Sequence, residues 1–356
     1  MSYLSKLTRS IIPYTAGEQP QDMQYVKINT NENPYPPCPK VRKILDTFNE
    51  DKLKLYPDPN NTELANALAK KHGVSFENIF IGNGSDEVLA LCFPTFFDQN
   101  GAFLAYADIT YSFYKVWAKM FGINSKIIPL TDDFKIDIEE YKNLDDSVKG
   151  IIICNPNAPT SLGLGRLDLL EVIQANPDKI IIVDEAYADF STNSIAGFVK
   201  DYKNLLVVRT FSKSYSLANI RCGYAIGDEE LISGLKTIKN SFNSYTVNSL
   251  TEKIAIAALE DNKYFAENID KITTQREDTA DALRELGFEV LESASNFLFA
   301  KHNKMAASEV YYRLKENGVL VRHFKSPRID NYVRITIGTK EQMNILIKKL
   351  KLILDN

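Results

Sequence analysis

Short runs of purely apolar residues recur along the chain, and each stops at a polar or glycine-rich cluster. Ile79-Phe80-Ile81 leads to Gly82-Asn83-Gly84-Ser85, and Phe103-Leu104-Ala105-Tyr106 precedes the aromatic stretch from Tyr111 to Trp117. Ile151-Ile152-Ile153 ends in Cys154-Asn155-Pro156-Asn157-Ala158-Pro159-Thr160. Ile180–Val183 runs into Asp184-Glu185-Ala186-Tyr187, and Leu205–Val208 into Arg209-Thr210-Phe211-Ser212-Lys213. Runs of this length without alternation predict strands buried on both faces. Helical spacings separate them. After Asn60, Leu64, Ala67 and Leu68 share one face, Glu63 completes a capping-box pattern and Gly73 closes the helix; another helix begins near Asp86. Alternation of this kind predicts an α/β fold, a mostly parallel sheet flanked by helices.

The pattern changes after about residue 245. Long helical stretches near 246–260 and 262–286 lead to short strands near 288–291, 296–300 and 332–337, with helices near 306–317 and 340–354. This predicts a smaller α+β domain. The start of the chain is polar and proline-rich, as in Asn29-Thr30-Asn31-Glu32-Asn33-Pro34-Tyr35-Pro36-Pro37, and reads as an extended arm. The expected division is therefore an arm over 1–35, a large domain over 36–245 and a small domain over 246–356.

Composition narrows the class of partner. A formal charge of −4, from 42 basic and 46 acidic residues, gives no reason to expect nucleic acid. No apolar stretch approaches the ~20 residues of a membrane helix. Cys38, Cys92, Cys154 and Cys222 form no Cys-x-x-Cys pair, and Met1–Leu7 lacks the apolar core of a secretory leader. Free thiols in a cytoplasmic protein, without a metal site, are expected.

The residues after the apolar runs carry the chemistry, because ligands of open α/β sheets bind at the carboxyl ends of strands. A lysine there, Lys213, can condense with a carbonyl cofactor, and Thr210, Ser212 and Arg221 are residue types that hold a phosphate. Asp184 suits the protonated nitrogen of a pyridine ring, and Tyr187 can hydrogen-bond a ring hydroxyl. Pyridoxal 5'-phosphate (PLP) carries all of these groups. Gly82-x-Gly84 invites a dinucleotide reading, but the third glycine position is Glu87 and the fingerprint fails.

With these residues in place, the chain resembles the fold-type I PLP-dependent aminotransferases, and within them the histidinol-phosphate aminotransferase family. The matching segments span most of the chain: Pro13-Tyr14, Asn31-Glu32-Asn33-Pro34, Tyr56-Pro57-Asp58-Pro59, Gly84-Ser85-Asp86-Glu87, Asp184–Tyr187, Arg209–Lys213, Ser295-Asn296-Phe297 and Val333–Thr339. The resemblance implies amino transfer from L-histidinol phosphate to 2-oxoglutarate in histidine biosynthesis, by a homodimer with shared active sites. Lys213 would anchor PLP and move the substrate proton, with Asp184 on the ring nitrogen. The N–H groups of Ser85 and Asp86 would bind the cofactor phosphate at a helix N-terminus. Tyr111 would stack on the ring, and Tyr56 would reach the cofactor phosphate of a neighbouring subunit. Asn33 is carried over as a substrate contact. Tyr14 would enter the partner's substrate pocket, and the arm would pack on the small domain and the partner subunit. Arg334 and Arg322 would bind the substrate's anionic end, since arginine forks donate paired hydrogen bonds.

The chain departs from the family at several points. Ala158 stands where an asparagine usually binds the ring hydroxyl, Ser161 replaces a glycine, and Asn157 is the candidate to supply the amide from one place earlier. Ser216 and Asn219 occupy positions where Gly or Ala is common. A threonine-phosphate decarboxylase of cobamide synthesis and an aromatic amino-acid aminotransferase share most of these motifs and are the alternative readings. A regulatory PLP-binding protein without turnover is a third, against which the intact Lys213, Asp184, Tyr187 and Arg221 argue.

Overall fold

The computed structural model describes residues 2–99 and 101–355. Its thirteen described strands are β1 (Val26–Lys27), β2 (Ile79–Gly82), β3 (Phe103–Ala107), β4 (Asn124–Ile128), β5 (Val148–Cys154), β6 (Ile180–Asp184), β7 (Leu205–Thr210), β8 (Gly223–Gly227), β9 (Phe288–Val290), β10 (Phe297–His302), β11 (Val319–Leu320), β12 (Arg322–His323) and β13 (Val333–Thr336). Seven form one sheet in the order β2-β8-β7-β6-β5-β3-β4, parallel throughout except for β8. The apolar runs feed two cores at once, because successive side chains of a strand point to opposite faces. Ile182, Leu206 and Val208 belong to one buried cluster, while Ile181, Val183, Leu205 and Val207 belong to the other. The α/β reading of the sequence holds.

A second sheet, β12-β13-β10-β9, is antiparallel and lies in the C-terminal part. The arm's β1 pairs in parallel with β11 as a separate two-stranded sheet, and the Ile28 carbonyl just after it accepts the Thr336 N–H of β13 at 3.0 Å. The helices Asn262–Glu285, Ala307–Glu316 and Lys340–Leu354 fall close to their expected places.

Local differences have local causes. The helix Thr62–His72 forms and ends at Gly73 with φ 64°, but Asn60 does not cap it. The Asp58 carboxylate takes the N–H groups of Asn60 and Thr62. The aromatic helix spans Phe113–Phe121, so Tyr111 precedes it. Strands β4 and β8 and the helix Glu229–Phe242 are additional to the expected elements. β8 is short and bracketed by glycines, and Gly223 is there for space. A Cβ on it would lie 2.3 Å from the Ser85 backbone nitrogen, so β8 and the start of the helix Ser85–Phe96 touch backbone to backbone. Among the described residues no helix is long and apolar enough to cross a membrane.

Candidate active site

The sheet brings three strand ends into line. Cys154 pairs with Asp184, and Asp184 with Val208, so β5, β6 and β7 deliver their following loops to one edge. Asp184 is 3% exposed. Its Oδ2 accepts the Tyr114 hydroxyl at 2.8 Å and its Oδ1 accepts the Ala186 N–H at 3.1 Å. No cation pairs with it among the described residues. Burial, only partly offset by these bonds, pushes its carboxyl up to about 6. An unpaired buried carboxylate at a strand end is a socket for a positive group.

Lys213 lies three residues past β7. Its Nζ sits 5.7 Å from the centre of the Tyr187 ring and makes one long hydrogen bond, 3.5 Å, to the Thr30 carbonyl. Burial, helped by the nearby Arg334 charge, pulls its amine down to about 8. The backbone beneath it is pinned, because Asn33 Nδ2 donates to the carbonyls of Lys213 and Ser214 at 3.0 and 3.3 Å.

The expected phosphate ligands converge beside these two groups. The helix Ser85–Phe96 starts after Gly84 with no side-chain cap, which leaves its first N–H groups available. Arg221 packs over Gly84, where a Cβ would lie 2.6 Å from its Nη2, and that nitrogen donates to Asp86 Oδ2 at 3.1 Å. Asp86 Oδ1 accepts the Tyr111 hydroxyl at 2.7 Å. The Asp86 carboxylate thus ties Arg221 to Tyr111, and only its N–H remains for an anion. Thr210 Oγ1 accepts the Ser212 N–H and donates to Ser212 Oγ, leaving the Ser212 hydroxyl proton for a ligand. An amine, an unpaired carboxylate, an open helix N-terminus, an arginine and two hydroxyls fit the aldehyde, ring nitrogen and phosphate of PLP.

Other expected ligands are differently engaged. The Asn157 side chain is engaged by neighbouring loops: its Oδ1 accepts the Thr110 hydroxyl, and its Nδ2 donates to the Ile109 carbonyl and to Thr160 Oγ1. It braces its own loop, 4% exposed. Asn33 is not a free substrate contact either, since its Oδ1 accepts the Tyr35 N–H while its Nδ2 holds the backbone at Lys213. Tyr14 stacks on Phe113 at 4.3 Å and lies 6.5 Å from Tyr111 of its own chain. Arg322 donates to the Ala16 and Thr15 carbonyls at 3.2 and 2.9 Å, clamping the segment that carries Tyr14. Arg334 gives Nη2 to the Asn29 carbonyl at 3.1 Å, while its buried Nε has no partner. Arg322 and Arg334 stand directly opposite each other on β12 and β13. Tyr56 is 82% exposed and stacks on Tyr245 at 4.7 Å.

Sequence reasoning missed Tyr114, which grips Asp184, and Asn31, whose Nδ2 donates to the Tyr187 hydroxyl at 2.9 Å. The signal for Tyr114 was its place one helical turn after Tyr111, with Trp117 a turn further.

Comparison with known proteins agrees with this geometry. The family described as aminotransferase class I and II matches residues 24–350. The histidinol-phosphate aminotransferase of Brachyspira hyodysenteriae is 53% identical over 356 residues, covering 100% of this chain and 99% of its own. The crystal structure of histidinol-phosphate aminotransferase from Sinorhizobium meliloti, in complex with pyridoxal-5'-phosphate, superposes with a TM-score of 0.89 at 24% identity, covering 100% of this chain and 98% of that one. That of L-threonine-O-3-phosphate decarboxylase from Porphyromonas gingivalis reaches 0.79 at 25% identity, covering 93% and 99%. The chain belongs to the class I and II aminotransferases and, among them, to the histidinol-phosphate aminotransferase family.

Proposed function

We propose that the chain uses PLP to transfer the amino group of L-histidinol phosphate to 2-oxoglutarate, giving imidazole-acetol phosphate and glutamate. The observation that carries the substrate class is the cross-strand pair of Arg334 and Arg322. Like charges directly opposite on paired strands repel, and Arg334 has in addition a buried donor without an acceptor. A phosphate on the substrate resolves both. The 53% identity over the whole chain favours the aminotransferase over the decarboxylase, whose phosphorylated substrate the arginines suit equally well.

PLP, when bound, supplies an electron sink for negative charge developing at the substrate α-carbon. Asp184 keeps the proton on the ring nitrogen. The Lys213 amine, neutral above about 8 and reachable at neutral pH, would be the group that takes the proton from the substrate α-carbon and carries it across the intervening nitrogen. Tyr187 would donate to the ring oxygen, and Tyr111 would lie against the ring. Ser85, Asp86, Thr210, Ser212 and Arg221 hold the phosphate group, with Tyr56 contributed to the site of a second copy. The exposed Tyr56 and Tyr245 stack supports that homodimeric reading. The division into arm, PLP-binding domain and small domain follows the same scheme, and the cytoplasm is the proposed location.

The test mixes PLP-loaded protein with L-histidinol phosphate, phenylalanine or threonine phosphate and follows the visible absorbance. Histidinol phosphate is expected to bleach the band and 2-oxoglutarate to restore it. Carbon dioxide release from threonine phosphate, with no response to histidinol phosphate, overturns the reading.

A further inference from the structure

We propose that Asn31 is a positioning residue that fixes the Tyr187 hydroxyl as a donor toward the ring oxygen of the bound cofactor. The inference rests on Lys213 anchoring that cofactor and is independent of which amine is the substrate.

Asn31 belongs to the arm, is 1% exposed and adopts φ 58°. Its backbone joins it to the second sheet: the N–H donates to Thr336 Oγ1 at 3.0 Å, and the carbonyl accepts Asn296 Nδ2 at 3.1 Å. The side chain continues the connection to the first sheet. Oδ1 accepts the Thr336 hydroxyl at 3.0 Å, and Nδ2 donates to the Tyr187 hydroxyl oxygen at 2.9 Å. Thr336 Oγ1 accepts the Asn31 N–H through one lone pair and donates its single proton to Oδ1. That proton decides which end of the amide faces Tyr187.

The consequence lies in the direction of one hydrogen. With an N–H pointing at it, the Tyr187 oxygen is an acceptor on that side, and its own proton must be donated elsewhere. Among the described residues no acceptor takes that proton. Burial holds the phenol protonated, pushed up to about 12. Tyr187 is kept in place by edge-on packing against Phe297 at 5.1 Å, and Lys213 Nζ stands 5.7 Å from its ring centre. At Asn157 and Ala158 the loop after β5 adds no free side-chain amide, because the Asn157 amide is fully engaged and Ala158 has none. A turned amide would present Oδ1 to Tyr187, draw the phenol proton inward and leave a ring oxygen without its donor.

The experiment is a pH titration of the visible absorbance of PLP-loaded protein, with no substrate present. Asn31→Gly removes the amide while keeping a residue at home at positive φ, and Thr336→Val removes the orienting proton. Tyr187→Phe removes the donor itself. Without its donor the ring oxygen is more basic and holds the proton it shares with the Lys213 nitrogen more tightly, so the titration midpoint rises. Tyr187→Phe is expected to raise it by about one pH unit, and Asn31→Gly and Thr336→Val by part of that. Asn31→Gly added to Tyr187→Phe is expected to change nothing further, because the two act on one hydrogen bond. A midpoint unmoved in Asn31→Gly, or a shift that persists in the Tyr187→Phe background, overturns the proposal. Unaltered protein that binds PLP without any titrating visible band overturns the Lys213 assignment and this inference together.

Discussion

The floor and the wall of the pocket are prepared in opposite ways. On the floor, at the strand ends of the large sheet, Asp184 is buried and Lys213 partly buried, neither with an ion-pair partner among the described residues, and desolvation displaces them toward each other: one up to about 6, the other down to about 8. On the wall, built by the arm and the second sheet, polar side chains are mostly tied to backbone. Arg322 holds the Thr15 and Ala16 carbonyls, Asn33 holds Lys213 and Ser214, and Arg334 keeps a buried donor idle. A buried charge without a partner costs the fold stability, and a ligand that supplies the partner restores it. The floor is thus arranged around a ligand that stays, while the wall is chain ordered around a ligand that comes and goes.

Removing the floor's amine is the harshest test of that contrast. Lys213→Ala is expected to lower turnover by roughly 10³-fold or more, since both the anchor and the proton carrier disappear. Folding should survive, because the Lys213 side chain makes only one long hydrogen bond. A circular dichroism melt no lower than that of the unaltered protein, beside lost activity, is the expected pair of results. On the wall, Arg334→Ala is expected to raise KM for the phosphorylated amine by roughly 100-fold, the worth of a charge-assisted pair. Arg322→Ala should raise it about tenfold at most, and should also speed hydrogen exchange around residues 14–17, whose carbonyls it clamps. Equal KM effects without any change in exchange would erase the distinction between clamp and ligand.

The same contrast explains what the sequence disclosed. Floor residues follow directly from apolar runs, so Asp184, Tyr187, Thr210, Ser212 and Lys213 could be placed at one sheet edge before any coordinates. The wall depends on contacts between distant segments. Asn33 meets Lys213 across 180 positions, and Asn31 meets Tyr187 across 156, which no local pattern encodes. The direction of the Asn157 side chain was hidden for a related reason. Moving an amide by one place along a loop changes its direction, and here it turns toward Thr110, Ile109 and Thr160. Tyr114 was hidden by redundancy: in a helix so aromatic, one hydroxyl that reaches Asp184 looks like core packing.

The stability cost assigned to the floor can be measured by pH. The Asp184 carboxyl is raised in the fold from an ordinary 3.8 to about 6, so the folded cofactor-free protein binds more protons than the unfolded chain between those values. Its stability therefore falls as pH rises from 3.8 to about 6, and the full penalty persists above that. Asp184→Asn keeps an acceptor for Tyr114 and removes the charge, at the cost of the Ala186 N–H bond. Without PLP the variant should be more stable than the unaltered protein at pH 7.5, by on the order of 2 kcal/mol, and the two should converge near pH 4. With PLP the order should narrow or reverse, because only the carboxylate pairs with the ring nitrogen. Denaturant midpoints with and without PLP at both pH values decide the matter; a variant less stable at pH 7.5 without PLP would show that Asp184 is structural.

The smallest effect concerns how the floor acquires its ligand. Condensation of the Lys213 amine with an aldehyde requires the neutral amine, and burial together with Arg334 lowers its titration to about 8. Below that value the neutral fraction falls tenfold with each pH unit. The rate at which PLP-free protein develops visible absorbance with PLP should therefore rise about tenfold from pH 6 to pH 7 and level off above about 8. The wall enters through charge alone. Arg334→Gln removes the nearby positive charge, so Lys213 should hold its proton more readily and the plateau should begin at higher pH. If the profile keeps rising toward pH 10 in the unaltered protein, the amine is not held neutral by its surroundings. If it levels near 8 in both proteins, desolvation by the floor sets it alone, and the wall's arginine acts only on the substrate.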